Sequence, residues 1–185
     1  SAMLGRGLAL EKDGTKKIHV FNSRSASVGE TLIVKKIIEC EKAGMPFGEL
    51  VDTVEKYIDG QNTYFVLENL ETLRKNGRLS NLKAFVASAL KIKPVMGATP
   101  EGTICQLDQA RGINKALMKM VDYIVKEVKE PEKKVLGISH CNCPERAEIA
   151  RDAILERIKV KDSVILDTRG VSSMYANDGG VIVVI

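Results

Sequence analysis

A mixed α/β fold is what this sequence predicts, and three observations carry the prediction. Short apolar runs alternate with longer stretches whose apolar residues recur at helical spacing, the pattern of strands covered by helices. One run, Val181-Ile182-Val183-Val184-Ile185, is apolar throughout, as a strand buried on both faces must be. Gly44, Gly60, Gly77, Gly102 and Pro144 fall between these runs and punctuate them. The 185 residues are 44% hydrophobic with mean hydropathy near zero, which predicts a soluble globular chain of one or two domains. No apolar run reaches the roughly 18 residues a membrane span needs, and the first residues do not read as a signal peptide. Cys40, Cys105, Cys141 and Cys143 do not make a disulfide framework in a chain this long, so a reducing, cytoplasmic setting is expected.

In chain order, residues 2–12 carry Leu4, Leu8 and Ala9 among charges and read as a helix with no cap ahead of it. Lys17 to Phe21 reads as a strand ending at Asn22-Ser23, with His19 inside it as a half-buried packing residue. Two helices follow. The first turns Ile33, Ile37 and Cys40 to one face and stops at Gly44; the second does the same with Leu50, Val51, Val54, Tyr57 and Ile58. Gly60-Gln61-Asn62 is the candidate boundary between residues 1–61 and residues 62–185. Beyond it comes the apolar run Tyr64-Phe65-Val66-Leu67. Asn69 is then placed to cap a short helix bearing Leu70 and Leu73, and Gly77 suits a left-handed C-terminal turn. Arg78 follows that glycine and is held on a tight turn. Ser80 can cap a further helix with Leu82, Phe85, Val86, Ala89 and Leu90 on one face and the small Ala84, Ala87 and Ser88 beside them. Pro94 fits the edge or exit of a strand.

Gly102 sits at the tip of a hairpin joining Val95–Ala98 to Thr103–Leu107. A helix over Ile113–Val128 turns Leu117, Val121, Ile124 and Val128 inward and Lys115, Lys119 and Lys126 outward. Lys133–Ser139 reads as a strand. Pro144 suits the first position of a helix in which Ala147, Ala150, Ile154 and Ile158 share a face. Ser163–Leu166 and Val181–Ile185 complete the strands.

Charge is uneven along this order. Between Thr72 and Pro100 there is no acidic residue, while Arg74, Lys75, Arg78, Lys83, Lys91 and Lys93 supply six positive charges in a chain of net charge only +4. One-signed stretches suit an anionic partner, although a solvated helix face with local salt bridges explains Arg74 and Lys75 equally well. Nucleic acid is the weaker choice of partner: aromatic residues make up only 4% of the chain, and no recognition motif is present.

His140-Cys141-Asn142-Cys143 lies between a strand and a helix, where a thiolate could be activated by an imidazole and a helix N-terminus. A thiol enzyme using Cys141 or Cys143 is therefore an alternative, but no orienting partner is visible and the spacing lacks the second ligand pair of a structural zinc site. Cys40 and Cys105 read as small apolar fillers. Gly179-Gly180 lacks the spacing of a phosphate loop. No catalytic residue, metal ligand or cofactor is assigned.

Several ordered motifs carry a family resemblance. Leu70-Glu71-Thr72-Leu73-Arg74-Lys75-Asn76-Gly77-Arg78, then Ile92-Lys93-Pro94, then Ala110-Arg111-Gly112-Ile113-Asn114-Lys115-Ala116-Leu117 resemble the DegV family of bacterial fatty-acid-binding proteins. The segment Asn22-Ser23-Arg24-Ser25-Ala26-Ser27-Val28-Gly29 is similar to a strand-end segment of that family. The resemblance implies a two-domain architecture: residues 1–61 would end an N-terminal α/β domain, and residues 62–185 would form a C-terminal α/β domain with a mixed sheet. It implies a long-chain fatty acid held in an apolar slot between the two domains, with its carboxylate gripped by Thr and Ser residues upstream of residue 1. It further implies a carrier that presents the carboxylate to a separate fatty acid kinase subunit, the carrier itself not being an enzyme. On that reading Phe65, Phe85, Ile92, Val95, Ile104, Ser172 and Tyr175 contact lipid, and Arg78, Arg111 and Lys115 face the partner or the phosphate. One departure stands out. The family's usual C-terminal motif carries a His, whereas Ser172-Ser173-Met174-Tyr175-Ala176-Asn177-Asp178-Gly179-Gly180 has none. Lipid binding survives that loss more easily than phosphotransfer, since Tyr175 or Asn177 can hydrogen-bond but carries no imidazolium charge.

Overall fold

A computed structural model describes residues 2–79 and 91–185. Six strands form one mixed sheet flanked on both faces by helices. In chain order they are α1 (Ala2–Lys12), α2 (Val28–Lys42), α3 (Phe47–Asp59), β1 (Thr63–Val66), α4 (Glu71–Lys75), β2 (Ile92–Ala98) and β3 (Ile104–Arg111). There follow α5 (Ile113–Glu127), a 3₁₀ turn (Pro131–Lys133), β4 (Val135–His140), α6 (Pro144–Leu155), β5 (Asp162–Asp167), α7 (Val171–Ala176) and β6 (Val181–Val184). The sheet order is β3-β2-β1-β6-β4-β5, antiparallel except for the β4–β5 pair.

Strand alternation divides the core into two layers. Tyr64 and Val66 of β1, Val181 and Val183 of β6 and Leu136 and Ile138 of β4 pack with Leu117, Met120, Val121 and Ile124 of α5 and with Ala147, Ala150 and Ile154 of α6. Each fully buried aliphatic side chain in that layer contributes about 1.5–3 kcal/mol of transfer free energy. Phe65, Leu67, Met96 and Ile182 face the other way, toward Leu70 and Leu73 of the α4 region and Ala176 of α7. Further along that second face, Val28 and Leu32 of α2 rest on Val184. Gly137 makes this close approach possible: a Cβ there would lie 2.7 Å from Val28 and 3.0 Å from Leu32.

Local signals explain most elements. Asn69, expected as the cap of α4, stands one residue ahead of the N-cap Leu70, where its Oδ1 accepts the N–H of Glu71 at 2.6 Å, and Gly77 adopts φ +68 just past the helix end. Pro144 occupies the first turn of α6. Gly102, φ +82, turns the β2–β3 hairpin. Pro94 stands where β2 has run past β1, whose register covers only Met96 and Gly97, so its missing N–H breaks no bond on that side.

Lys17–Phe21, expected as a strand, pairs with no strand among the described residues. The alternation there serves helix contact instead: Phe21 packs against the Ile33, Cys40, Val54 and Ile58 cluster between α2 and α3. His19 lies beside it, with Nε2 2.9 Å from Glu55 Oε1. The amphipathic stretch 82–90, with Phe85, lies outside the described residues. No helix among the described residues is long and apolar enough to cross a membrane.

Candidate functional site

The second face of the sheet is not completely covered. Between the loop before α2, the hairpin tip, α4 and α7 lies an open cavity of about 580 Å³, within the range typical of small-molecule sites. Phe65, Leu67, Ile104 and Ile182 give it an apolar sheet floor. Leu73, Gly77 and Arg78 form one wall, and Val171, Ser172, Tyr175 and Ala176 of α7 form another. Arg24 to Ser27, Thr63 and Thr103 supply a polar end.

That polar end is built from unusual backbone. Arg24 and Ser27 hold φ +50 and +57, conformations that cost non-glycine residues about 1–3 kcal/mol each and cluster at ligand sites. Their surroundings enforce them. The Arg24 guanidinium donates to Asp59 Oδ1 at 2.5 Å and to the Pro100 carbonyl at 3.3 Å, bridging α3 to the hairpin. Gly102 lies against the Arg24 backbone so closely that a Cβ would come within 2.8 Å of the Arg24 Cα. Ser25 Oγ and Thr63 Oγ1 share a hydrogen bond of 2.7 Å, and Ser27 Oγ pairs with the buried Ser139 Oγ at 2.9 Å. Gly29 has no side chain to displace Ser25, whose Oγ stands 2.0 Å from where a Cβ would be. The cavity thus joins an apolar surface to hydroxyl groups and two arginines. It suits an amphiphile with an anionic head.

Five of the expected site residues meet in this cavity: Phe65, Arg78, Ile104, Ser172 and Tyr175. Val95 does not join them. It is fully buried on the opposite face with α5, because Met96 takes the cavity side of β2 and its neighbour must point away. Ile92 lies at the other end of β2, about 20 Å along the strand from Ala98 at the cavity. Arg111 pairs opposite Ile92, about 23 Å along β3 from Ile104, and Lys115 is exposed on the first turn of α5. Arg111 and Lys115 are therefore remote from the cavity. Arg74 and Lys75 form ion pairs with Glu71 at 2.5 and 3.8 Å.

Sequence reading missed Arg24, Ser25, Ser27 and Thr63 as cavity residues, although the Ser23-x-Ser25-x-Ser27 spacing was an available signal. The cysteine loop serves structure. His140 Nδ1 accepts the Cys143 N–H at 3.3 Å, its Nε2 lies 3.5 Å from Asp167, and Cys143 Sγ donates to the Gly180 carbonyl at 3.6 Å. Burial pushes the Cys143 thiol up from its ordinary range, with nearby Arg146 only partly opposing it, the opposite of what a nucleophile needs. Among the described residues no group of His, Cys, Asp and Glu is placed to hold a metal.

The sheet order and this cavity define a mixed α/β protein with an amphiphile-sized pocket on one face of its sheet. The DegV family profile matches residues 5–185, and the chain belongs to the DegV family. A DegV domain-containing protein of Streptococcus pyogenes serotype M1 is 35% identical over 186 residues, covering 98% of this chain and 64% of that protein. The crystal structure of a DegV family protein from Ruminococcus gnavus with vaccenic acid is 59% identical and superposes with a TM-score of 0.95, covering 100% of this chain and 66% of that one. The Streptococcus pneumoniae Fatty Acid Kinase (Fak) B3 protein loaded with linoleic acid is 32% identical, TM-score 0.87, covering 99% and 64%. This chain thus spans just under two thirds of the length of these relatives.

Proposed function

We propose that the protein binds a long-chain fatty acid in the cavity on the α4–α7 face of the sheet. The observation that carries this reading is one cavity combining an apolar floor with hydroxyls and two arginines, in a chain 59% identical along its whole length to a protein crystallised with vaccenic acid. The tail would lie along Phe65, Leu67, Ile104 and Ile182, and the carboxylate toward Arg24, Arg78, Ser172 and the Ser25–Thr63 pair. Tail burial dominates: at about 0.8 kcal/mol per methylene a long chain gains roughly 10 kcal/mol before entropy costs. The carrier is not itself the catalyst. Its likeness to the Fak B3 protein supports presentation of the carboxylate to a separate kinase subunit, with the remote Arg111 and Lys115 as docking charges. Four free cysteines suit a cytoplasmic setting.

Native mass spectrometry of the purified protein, with organic extraction, tests the reading. The expected result is a bound long-chain fatty acid, and a thermal shift when oleate is added to delipidated protein. Ile104→Asp should weaken oleate binding by roughly ten-fold or more, placing a charge on the floor, whereas Arg111→Ala should leave it within a few-fold and lower acyl-phosphate formation with the kinase. An extract without fatty acid, together with no oleate shift, would overturn the proposal.

A further inference from the structure

The two side walls of the cavity come from distant parts of the chain, and one acidic residue outside the cavity links them. Leu67 on the cavity floor leads through Glu68 to α4 and the first wall; Ala176 lines the second wall and the Asn177–Gly180 turn follows it. Glu68 Oε1 accepts from Arg146 Nη2 at 3.1 Å, and Glu68 Oε2 lies 2.8 Å from Lys93 Nζ. The same Lys93 Nζ donates to the Glu68 carbonyl at 2.6 Å, and Arg146 Nη1 donates to the Gly179 carbonyl. Arg146 therefore carries the link from Glu68 to the turn that ends α7. All three side chains are mostly withdrawn from solvent, at 35%, 23% and 22% exposure for Glu68, Lys93 and Arg146.

Packing shows how closely the parts meet. A Cβ on Gly179 would lie 2.8 Å from Arg146 Nη1 and 3.0 Å from Glu68 Cγ; one on Gly180 would lie 2.8 Å from Leu67 Cδ2 and 2.4 Å from the Ala176 carbonyl. The turn fits under the β1–α4 segment only because it is glycine. The Gly179 N–H also binds the Cys141 carbonyl at 2.8 Å, anchoring the turn to the end of β4. On the cavity side, Asn177 joins the walls more weakly, through Thr72 at 3.4 Å and the Asn69 carbonyl at 3.3 Å.

We propose that Glu68 is a positioning residue for the lipid cavity. Through Arg146 and Lys93 it clamps the α7–β6 turn against the β1–α4 segment and so sets the gap by which the ligand leaves. This inference rests on the fatty-acid reading for its ligand, but the clamp itself is defined by the contacts. Glu68→Gln preserves shape and removes the charge, leaving Lys93 and Arg146 beside each other without the carboxylate between them. A clamp of this kind acts on escape more than on capture.

The test follows displacement of parinaric acid, a fluorescent long-chain fatty acid, by stopped flow, and hydrogen exchange of the same proteins without lipid. The comparison variant is Ile154→Val, in the core on the opposite face of the sheet. The parent's dissociation rate should rise with ionic strength, and Glu68→Gln should raise the rate roughly ten-fold, flatten that salt dependence, and speed exchange selectively at residues 171–180. Ile154→Val should lower Tm without doing any of these. A Glu68→Gln rate no different from that of Ile154→Val, or an unchanged salt dependence, overturns the clamp. If the parent binds no parinaric acid, the fatty-acid reading fails and exchange alone decides: a selective increase at 171–180 upholds the clamp, and a uniform or absent increase overturns it.

Discussion

Tyr64 shows how much a single side chain on the sealed face of this sheet is governed by its surroundings. It is 5% exposed and packs against Tyr123, ring centroids 6.0 Å apart. Burial, with smaller contributions from Tyr123 and Glu127, pushes its phenol up to about 12 from 10.0. An acid whose pKa is higher folded than unfolded stabilises the fold below its unfolded pKa, and that stability is lost as pH rises through the folded value. Stability should therefore fall by about 1–2 kcal/mol between pH 10 and pH 12, as measured by denaturant melts. Tyr64→Phe should flatten that fall and remove one phenol that ionises near pH 12 in an absorbance titration; an identical profile in the variant would refute the assignment. Legibility in the sequence was uneven at this scale. Phe65, Ile104, Ser172, Tyr175 and Arg78 were readable as site residues and do meet in one cavity. Ile92 and Val95 were both read as cavity wall, yet residues three apart cannot share a face of one strand. Arg24, Ser25 and Ser27 were passed over because their placement depends on positive-φ backbone and on partners at Asp59, Thr63 and Ser139, none of which periodicity reveals.

Among the elements, those whose signals are local were the legible ones. The glycine closing α4, the proline opening α6 and the glycine tip of the β2–β3 hairpin need only a few neighbouring residues to be recognised. α7 has no such signal. Val171 and Met174 are 68% and 50% exposed, so its apolar pattern does not point to one side. The false strand at Lys17–Phe21 failed for a related reason, since contact with a helix pair can produce the same alternation as sheet pairing. How α2 sits on the sheet was also not legible, because the space at Gly137 is created by Val28 and Leu32 from far away in sequence. Gly137→Ala should cost about 1–3 kcal/mol through overpacking, since the new methyl meets side chains of α2 at 2.7 and 3.0 Å. Trimming α2 with Leu32→Ala in the same chain should recover part of that loss. Costs that simply add in the double variant would show that the two positions do not press on each other.

For the molecule as a whole, alternating strands and helices were enough to predict an α/β fold, and the family resemblance implied a mixed sheet, but neither gave the strand order. β1 and β6, residues 63–66 and 181–184, lie side by side at the centre of the sheet, a pairing that no local pattern encodes. β6 also pairs with β4, so among the described residues it is the strand that joins β3-β2-β1 to β4-β5. A chain ending at residue 180 should lose cooperative thermal unfolding altogether and self-associate through the bare edges of β1 and β4, as read by circular dichroism and gel filtration. A sharp melt from that shortened chain would show that the halves cohere without it. The central strand of the sheet is also the last of the six to be synthesised. Its pairing with β1 joins residues 63–66 to residues 181–184, and pairings of such long sequence separation form slowly. Until residues 181–184 take their place, the edges of β1 and β4 that they cover stand open, and open strand edges are templates for pairing with other chains.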